Sequence, residues 1–267
     1  MLSSVFRKTI WDRRRGYAWW IVGMVAITGI TVAFWPTLRR DAAVITELLD
    51  SLPEGMMSLF GAEDAGAFLT GPGYVNSRVY ASVGSFIAIF FAISMGTAAI
   101  AGEEDKHTMD ALLANPIPRH RVVLESFAAM ALLTALLAVT VWVTLLLANP
   151  LVDIGLSFAG ITAASLGMAL LALSFGTLAL MVGALTGKRS LTIGVASGTT
   201  IATFFINGLA PLIENIKWTQ KLTPFYWLLD PNPLRNGFNW QILVLAAATV
   251  VGVAVAVWGF RRRDVAV

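Results

Sequence analysis

The groups in this sequence that could carry chemistry are few. There is no cysteine, and the only two histidines, His107 and His120, fall in one polar segment, 102–121, which reads GEEDKHTMDALLANPIPRHR. Neither an H-E-x-x-H metal pair nor a G-x-S-x-G nucleophile turn occurs. Two histidines without paired ligand spacing do not build a zinc centre, so no metal is expected. The stretch Gly183-Ala184-Leu185-Thr186-Gly187-Lys188-Arg189-Ser190 has some features of a phosphate-binding loop. Such a loop needs four residues between its glycines and Ser or Thr directly after Lys, so that amides and ammonium wrap the phosphate. Here three residues intervene and Arg189 follows Lys188. The chain is therefore expected to hold no nucleotide, no cofactor and no catalytic residue of its own.

What remains is a surface for another molecule and a set of hydroxyls. In 102–121 the start is acidic and the middle apolar, with Met109, Leu112 and Leu113 on one helical face. Pro116 and Pro118 end that helix, and Arg119 and Arg121 follow. An apolar-faced helix between two apolar runs suits docking into a groove of another protein; the plainer alternative is a helix resting on lipid headgroups. Further on, Thr192, Thr199, Thr203 and Asn207 fall near one face of a helix, and Gly194 and Gly198 form a small-xxx-small pair. Such residues either line a polar path or let helices approach closely. Ser82, Ser85, Ser94 and Thr97 are spread around their own helix.

The elements that must position these groups are apolar runs. Of 267 residues, 57% are hydrophobic and 13% charged, with mean hydropathy +0.74. Soluble domains carry about 25% charged residues, and disordered chains are poor in apolar ones, so both classes are excluded. About 20 apolar residues cross the hydrocarbon core as a helix. Six runs qualify: 17–35, 79–101, 122–148, 158–186, 191–212 and 240–260. They contain almost no ionisable residue; Glu125, in the first turn of the third, comes nearest. Ion-coupled carriers bury carboxylates at mid-membrane and intramembrane enzymes need acids, bases or metal ligands, so both are disfavoured. Six spans put both termini on one side. That side would hold 13 of the 19 Lys and Arg residues, which places the termini in the cytoplasm. The same asymmetry explains the pI near 9.4 without nucleic acid. The first run is too long for a signal-peptide core and is expected to be retained.

Shorter amphipathic stretches flank the spans. Val5, Phe6, Thr9, Ile10 and Trp11 interleave with Arg7, Lys8 and Asp12, which predicts a separate surface helix over 1–16. In 37–60, Val44, Ile45, Leu48, Leu49 and Leu52 recur at helical spacing, and Met56, Met57, Leu59 and Phe60 follow Pro53. Both stretches predict external interfacial helices. Gly66, Gly71, Pro72 and Gly73 then predict a chain break before the second span. In 213–239, Trp218, Phe225, Tyr226 and Trp227, with Trp240 just beyond, predict a segment dipping into the outer headgroup layer.

The loop 102–121 resembles the ABC-2 family of ABC transporter permeases, whose members often read Gly-Glu-Glu-x-x-Gly-Thr-x-(Asp/Glu)-x-Leu-Leu-x-x-Pro-x-x-Arg after the second span. Gly102, Glu103, Glu104, Thr108, Asp110, Leu112, Leu113, Pro116 and Arg119 match, and His107 stands where the glycine is usual. Leu222-Thr223-Pro224-Phe225-Tyr226, Asn236-Gly237, Phe260-Arg261-Arg262-Arg263-Asp264 and the Leu52-Pro53-Glu54 and Leu59-Phe60-Gly61 stretch resemble further family segments, in order along nearly the whole chain. The resemblance implies an all-α, six-span polytopic membrane protein of type V exporter-like architecture, forming a single transmembrane domain over 1–267. It implies a homodimer or related heterodimer with two copies of a cytoplasmic ATPase that binds ATP and Mg. By the same resemblance, Glu103, Glu104, Thr108, Met109, Asp110, Leu112, Leu113, Pro116 and Arg119 would couple to the ATPase. The second and fifth spans would line the path, with Ser82, Ser85, Thr199, Thr203 and Asn207 as its polar residues. Export of an amphipathic substrate across a prokaryotic inner membrane is the expected function. A membrane scaffold of the same fold that moves no solute is the alternative.

Overall fold

The computed structural model describes residues 4–50, 65–109 and 117–263, and among these every regular element is a helix. The first, α1, runs Val5–Arg40. Its opening amides are capped by the Ser4 hydroxyl, which accepts from the Arg7 N–H. The separate surface helix expected over 1–16 is not formed, because the amphipathic stretch continues unbroken into the apolar run. Its first turn is docked on protein: Val5 is buried, and the Phe6 N–H donates to Glu125 at 3.1 Å. At 1.5 Å per residue, α1 is about 54 Å long, well beyond a hydrocarbon core of about 30 Å. The short helix α2, Ala42–Asp50, follows and leaves Val44 exposed while Ile45 and Leu49 are half-buried. The remainder of the expected external helices, with Met56, Met57, Leu59 and Phe60, lies outside the described residues.

The second span begins earlier than its hydropathy suggests. Gly71–Val75 is helical, so Gly71, Pro72 and Gly73 open a helix instead of breaking one. Thr70 caps it through the Gly73 N–H, and a first-turn proline sacrifices no hydrogen bond. A π-helical turn, Asn76–Tyr80, leads into α3, Val83–Ala99. A short helix α4, Ala101–Asp105, is offset from α3 at Ile100. Then come α5, Arg119–Val152, and α6, Phe158–Thr186, followed by α7, Arg189–Leu209, which a 3-10 turn extends to Leu212. The far-end segment contains α8, Pro224–Leu229, and α9, Ile242–Arg262, closes the bundle. Six of these stretches are long and apolar enough to cross a membrane.

α6 is the central helix. It packs against α3, α5, α7 and α9, and 72% of its most apolar stretch is buried, against 22% for α7 and for α9. Close approach at the α3–α6 crossing depends on glycine. A Cβ on Gly176 would stand 2.8 Å from the Ala92 Cβ and 2.9 Å from the Met130 sulfur, and one on Gly96 would collide with the Gly176 carbonyl. By contrast, a Cβ on Gly194 or Gly198 would meet nothing within 4 Å. Among the described residues that pair makes no helix contact; it lies on the exposed side of α7 with Ile201 and Phe205.

At the end of the bundle opposite the termini, the aromatic segment divides in two. Trp218 and Trp240 are exposed, as an interfacial role requires. Phe225 is fully buried, contrary to its expected place in a headgroup belt. The Thr223 cap turns α8 inward, and Phe225 packs among the rings of Phe86, Phe175 and Phe204, with centroids 5.6–6.1 Å apart. One side chain therefore ties α3, α6 and α7 together at that end.

Candidate functional site

The loop after the second span begins with a tight reversal at the bundle end that carries both termini. α4 closes in a Schellman arrangement. The His107 N–H donates to the Glu104 carbonyl at 3.0 Å, and the Thr108 N–H reaches the Glu103 carbonyl at 2.9 Å. The residue between must be left-handed, and His107 has φ of 55°. Glycine takes that conformation without steric cost, which accounts for glycine being usual there; His107 adopts it at a penalty. The reversal sends Met109 back into the bundle, where it is 2% exposed beside Ile100, Val122, Leu180 and Phe260. Met109 was expected on an outward docking face; instead it anchors the loop. Asp110, Leu112, Leu113 and Pro116 lie outside the described residues.

The three acids of α4 each reach a different helix end. Glu103 pairs with Lys8 of α1 at 3.1 Å. Glu104 pairs with Arg263, just past the end of α9. Asp105 pairs with Arg189, the first residue of α7, at 3.1 Å. Consecutive residues on a helix point about 100° apart, so one turn of α4 addresses three neighbours. Glu103 and Glu104 were expected to meet basic residues of another protein, but in this arrangement their carboxylates are engaged within the chain. Burial opposes ionisation of Glu103. Hydrogen bonds from Thr108 and Lys8 and the charges of Lys8 and Lys106 outweigh it, leaving the carboxyl below the ordinary glutamate range.

Two further residues lock the arrangement. Arg119, at the start of α5, donates to the carbonyls of Phe260 and Arg263 and lies over the Phe260 ring, so its motif position serves an internal clamp. Gly187, at φ of 66°, passes its backbone so close to Glu104 and Arg263 that a Cβ would strike both. The resemblance to a phosphate loop at this glycine reduces to a left-handed helix C-cap. The acids are visible in the sequence, but no local pattern marks Lys8, Arg189 and Arg263 as their partners. Their pairing spans 95, 84 and 159 residues, beyond the reach of any local pattern.

The hydroxyls expected along a path are placed less uniformly. Ser82 donates to the carbonyls of Ser77 and Arg78, and Ser85 to that of Tyr80. A π turn displaces backbone hydrogen bonds, and these two side chains satisfy the carbonyls it frees. Ser85 is fully buried and faces no open path in this conformation. Asn207 is buried too and accepts from Thr223 at 3.2 Å, holding the cap of α8. Thr203 returns its hydrogen bond to the Thr199 carbonyl, and both residues are half-buried. No three His, Cys, Asp or Glu residues cluster as a metal site among the described residues.

No curated protein matches the sequence. The family model described as "ABC-2 family transporter protein" matches residues 3–265. Members of that family are membrane transport components that generally work with an ABC ATPase. With its six apolar helices and a match over nearly its full length, the chain belongs to the ABC-2 transporter family and is a multi-pass membrane permease.

Proposed function

We propose that this permease is the membrane-spanning half of an ATP-driven exporter, with both termini and the loop 102–118 in the cytoplasm of a prokaryotic inner membrane. Two copies pair, and each loop contacts one of two ATPase subunits. The observation that carries this reading is the acidic turn of α4. A displacement of the loop acts at once on the ends of α1, α7 and α9, through Lys8, Arg189 and Arg263. The outward Gly194 and Gly198 on α7 offer a close-packing face for the second copy. The ATPase supplies ATP and Mg chemistry; the permease supplies the moving walls, with Thr199 and Thr203 at the edge of the path.

Because Met109 is committed to the bundle, docking falls to Leu112 and Leu113. The double change Leu112→Asp with Leu113→Asp should lower recovery of the ATPase by at least about tenfold, which corresponds to 1.4 kcal/mol. Permease levels should remain equal. Undiminished ATPase recovery, together with undiminished substrate-dependent ATP hydrolysis, would remove the loop from the coupling path. Cysteine labelling fixes the orientation: His107→Cys should react from the cytoplasm and Trp218→Cys from outside.

A further inference from the structure

A cavity of about 250 Å³ opens between α3 and the first turns of α7, at the bundle end that carries the termini. Its rim holds three cations from three elements: Arg13 of α1, Lys106 just after α4, and Arg189 of α7. Arg189 is balanced by Asp105, and the nearby Glu103 pairs with Lys8 while also feeling the charge of Lys106. Among the described residues, neither Arg13 nor Lys106 forms an ion pair with a carboxylate. Arg13 is half-buried, and a cation withdrawn from water without an anion is costly. Deeper in, the walls become apolar, with Phe90 and Ile93 among them. Between rim and apolar wall lies Thr97, 3% exposed, whose hydroxyl oxygen is buried without a hydrogen-bond partner. From Phe90 to Thr97 the wall runs about 10 Å along the helix.

We infer that this cavity receives an anionic amphiphile as cargo, its phosphate or carboxylate held by Arg13 and Lys106 and its chain lying along Phe90 and Ile93. The site thereby names the charge class of the substrate, and this assignment rests on the transporter reading above. Excess positive charge beside an apolar wall selects against neutral and cationic amphiphiles. Butyl phosphate carries the head without the chain and should bind poorly.

The full-length chain in nanodiscs of phosphatidylcholine, with empty nanodiscs as blank, tests this by binding of radiolabelled dodecyl phosphate. Dodecylphosphocholine has the same chain and no net charge, and should compete about tenfold less well, as expected for loss of a charge-assisted contact. Arg13→Gln with Lys106→Gln should bring the two competitors within about twofold of each other, and the wild-type preference should shrink as salt shortens the Debye length. Equal competition by the two amphiphiles in the wild type, or a preference unchanged in the double variant, would overturn the inference. Competition by phosphatidylglycerol as strong as by dodecyl phosphate would overturn the assignment as cargo and make the cavity a lipid site. Co-purification of an ATPase is scored separately. An ATPase that associates while no charge preference exists sinks only this inference. A charge preference without any ATPase sinks the transporter reading and leaves the binding site.

Discussion

Two pairs of glycines give the sharpest comparison in this bundle. Gly176→Ala would put a methyl 2.8 Å from the Ala92 Cβ and 2.9 Å from the Met130 sulfur. Carbon atoms pack at about 3.5–4.0 Å, so α3 and α6 would have to part by about 0.7 Å or more at their crossing. The Met130 side chain can swing away, but Ala92 is fixed to the α3 backbone and cannot. Overpacking of this size costs about 1–3 kcal/mol. Gly194→Ala and Gly198→Ala meet nothing within 4 Å, so each should stabilise the isolated chain by about 0.5–1 kcal/mol through helix propensity. Thermal unfolding of monomeric permease in detergent, followed by tryptophan fluorescence, should therefore move in opposite directions for the two sites. At concentrations where copies pair, Gly194→Leu should weaken pairing while leaving monomer stability unharmed. If Gly194→Ala lowers monomer stability as much as Gly176→Ala does, the assignment of inner and outer glycines is wrong.

Replacing His107 by Gly should raise thermal stability by roughly 1 kcal/mol, since it removes a left-handed side-chain penalty; a loss instead would mean the imidazole itself holds the turn. Glu103 has a folded pKa below the usual 4.5, so its contribution is present above that value and fades as pH falls through the lower folded value. An acid titration of wild type against Glu103→Gln should show the stability difference vanish in that window, and a constant difference would refute the Lys8 pairing. Phe225→Ala should cost about 3–5 kcal/mol and release the far end of α7, read as increased proteolysis within 213–239. Gly187→Ala should loosen the Glu104–Arg263 contact as well as strain the backbone, so it should destabilise more than Glu104→Gln does in the same unfolding assay.

Membrane class and six helical runs were legible because each depends on apolar residues within one continuous stretch. The α6 ends at Phe158 and Thr186 coincide with the run read from hydropathy, since Ser157 caps one end and Gly187 turns the other. The acidic loop was legible as a motif, and with it the family. The same local reading marks Gly194 and Gly198 and passes over Gly96 and Gly176, because spacing cannot say which side of a helix faces the chain's own bundle. It put Met109 outward with Leu112 and Leu113, since a helical projection knows nothing of the Schellman reversal that His107 completes. It placed Phe225 with the exposed tryptophans, for composition does not distinguish a ring at the headgroups from one inserted among Phe86, Phe175 and Phe204. Above all, it saw acids without their partners. Lys8, Arg189 and Arg263 meet Glu103, Asp105 and Glu104 only after α1 has packed on α5 and α7 and α9 on α6. Charge pairing across 84 to 159 residues is decided by where whole helices end in space, and that is fixed by packing rather than by local pattern.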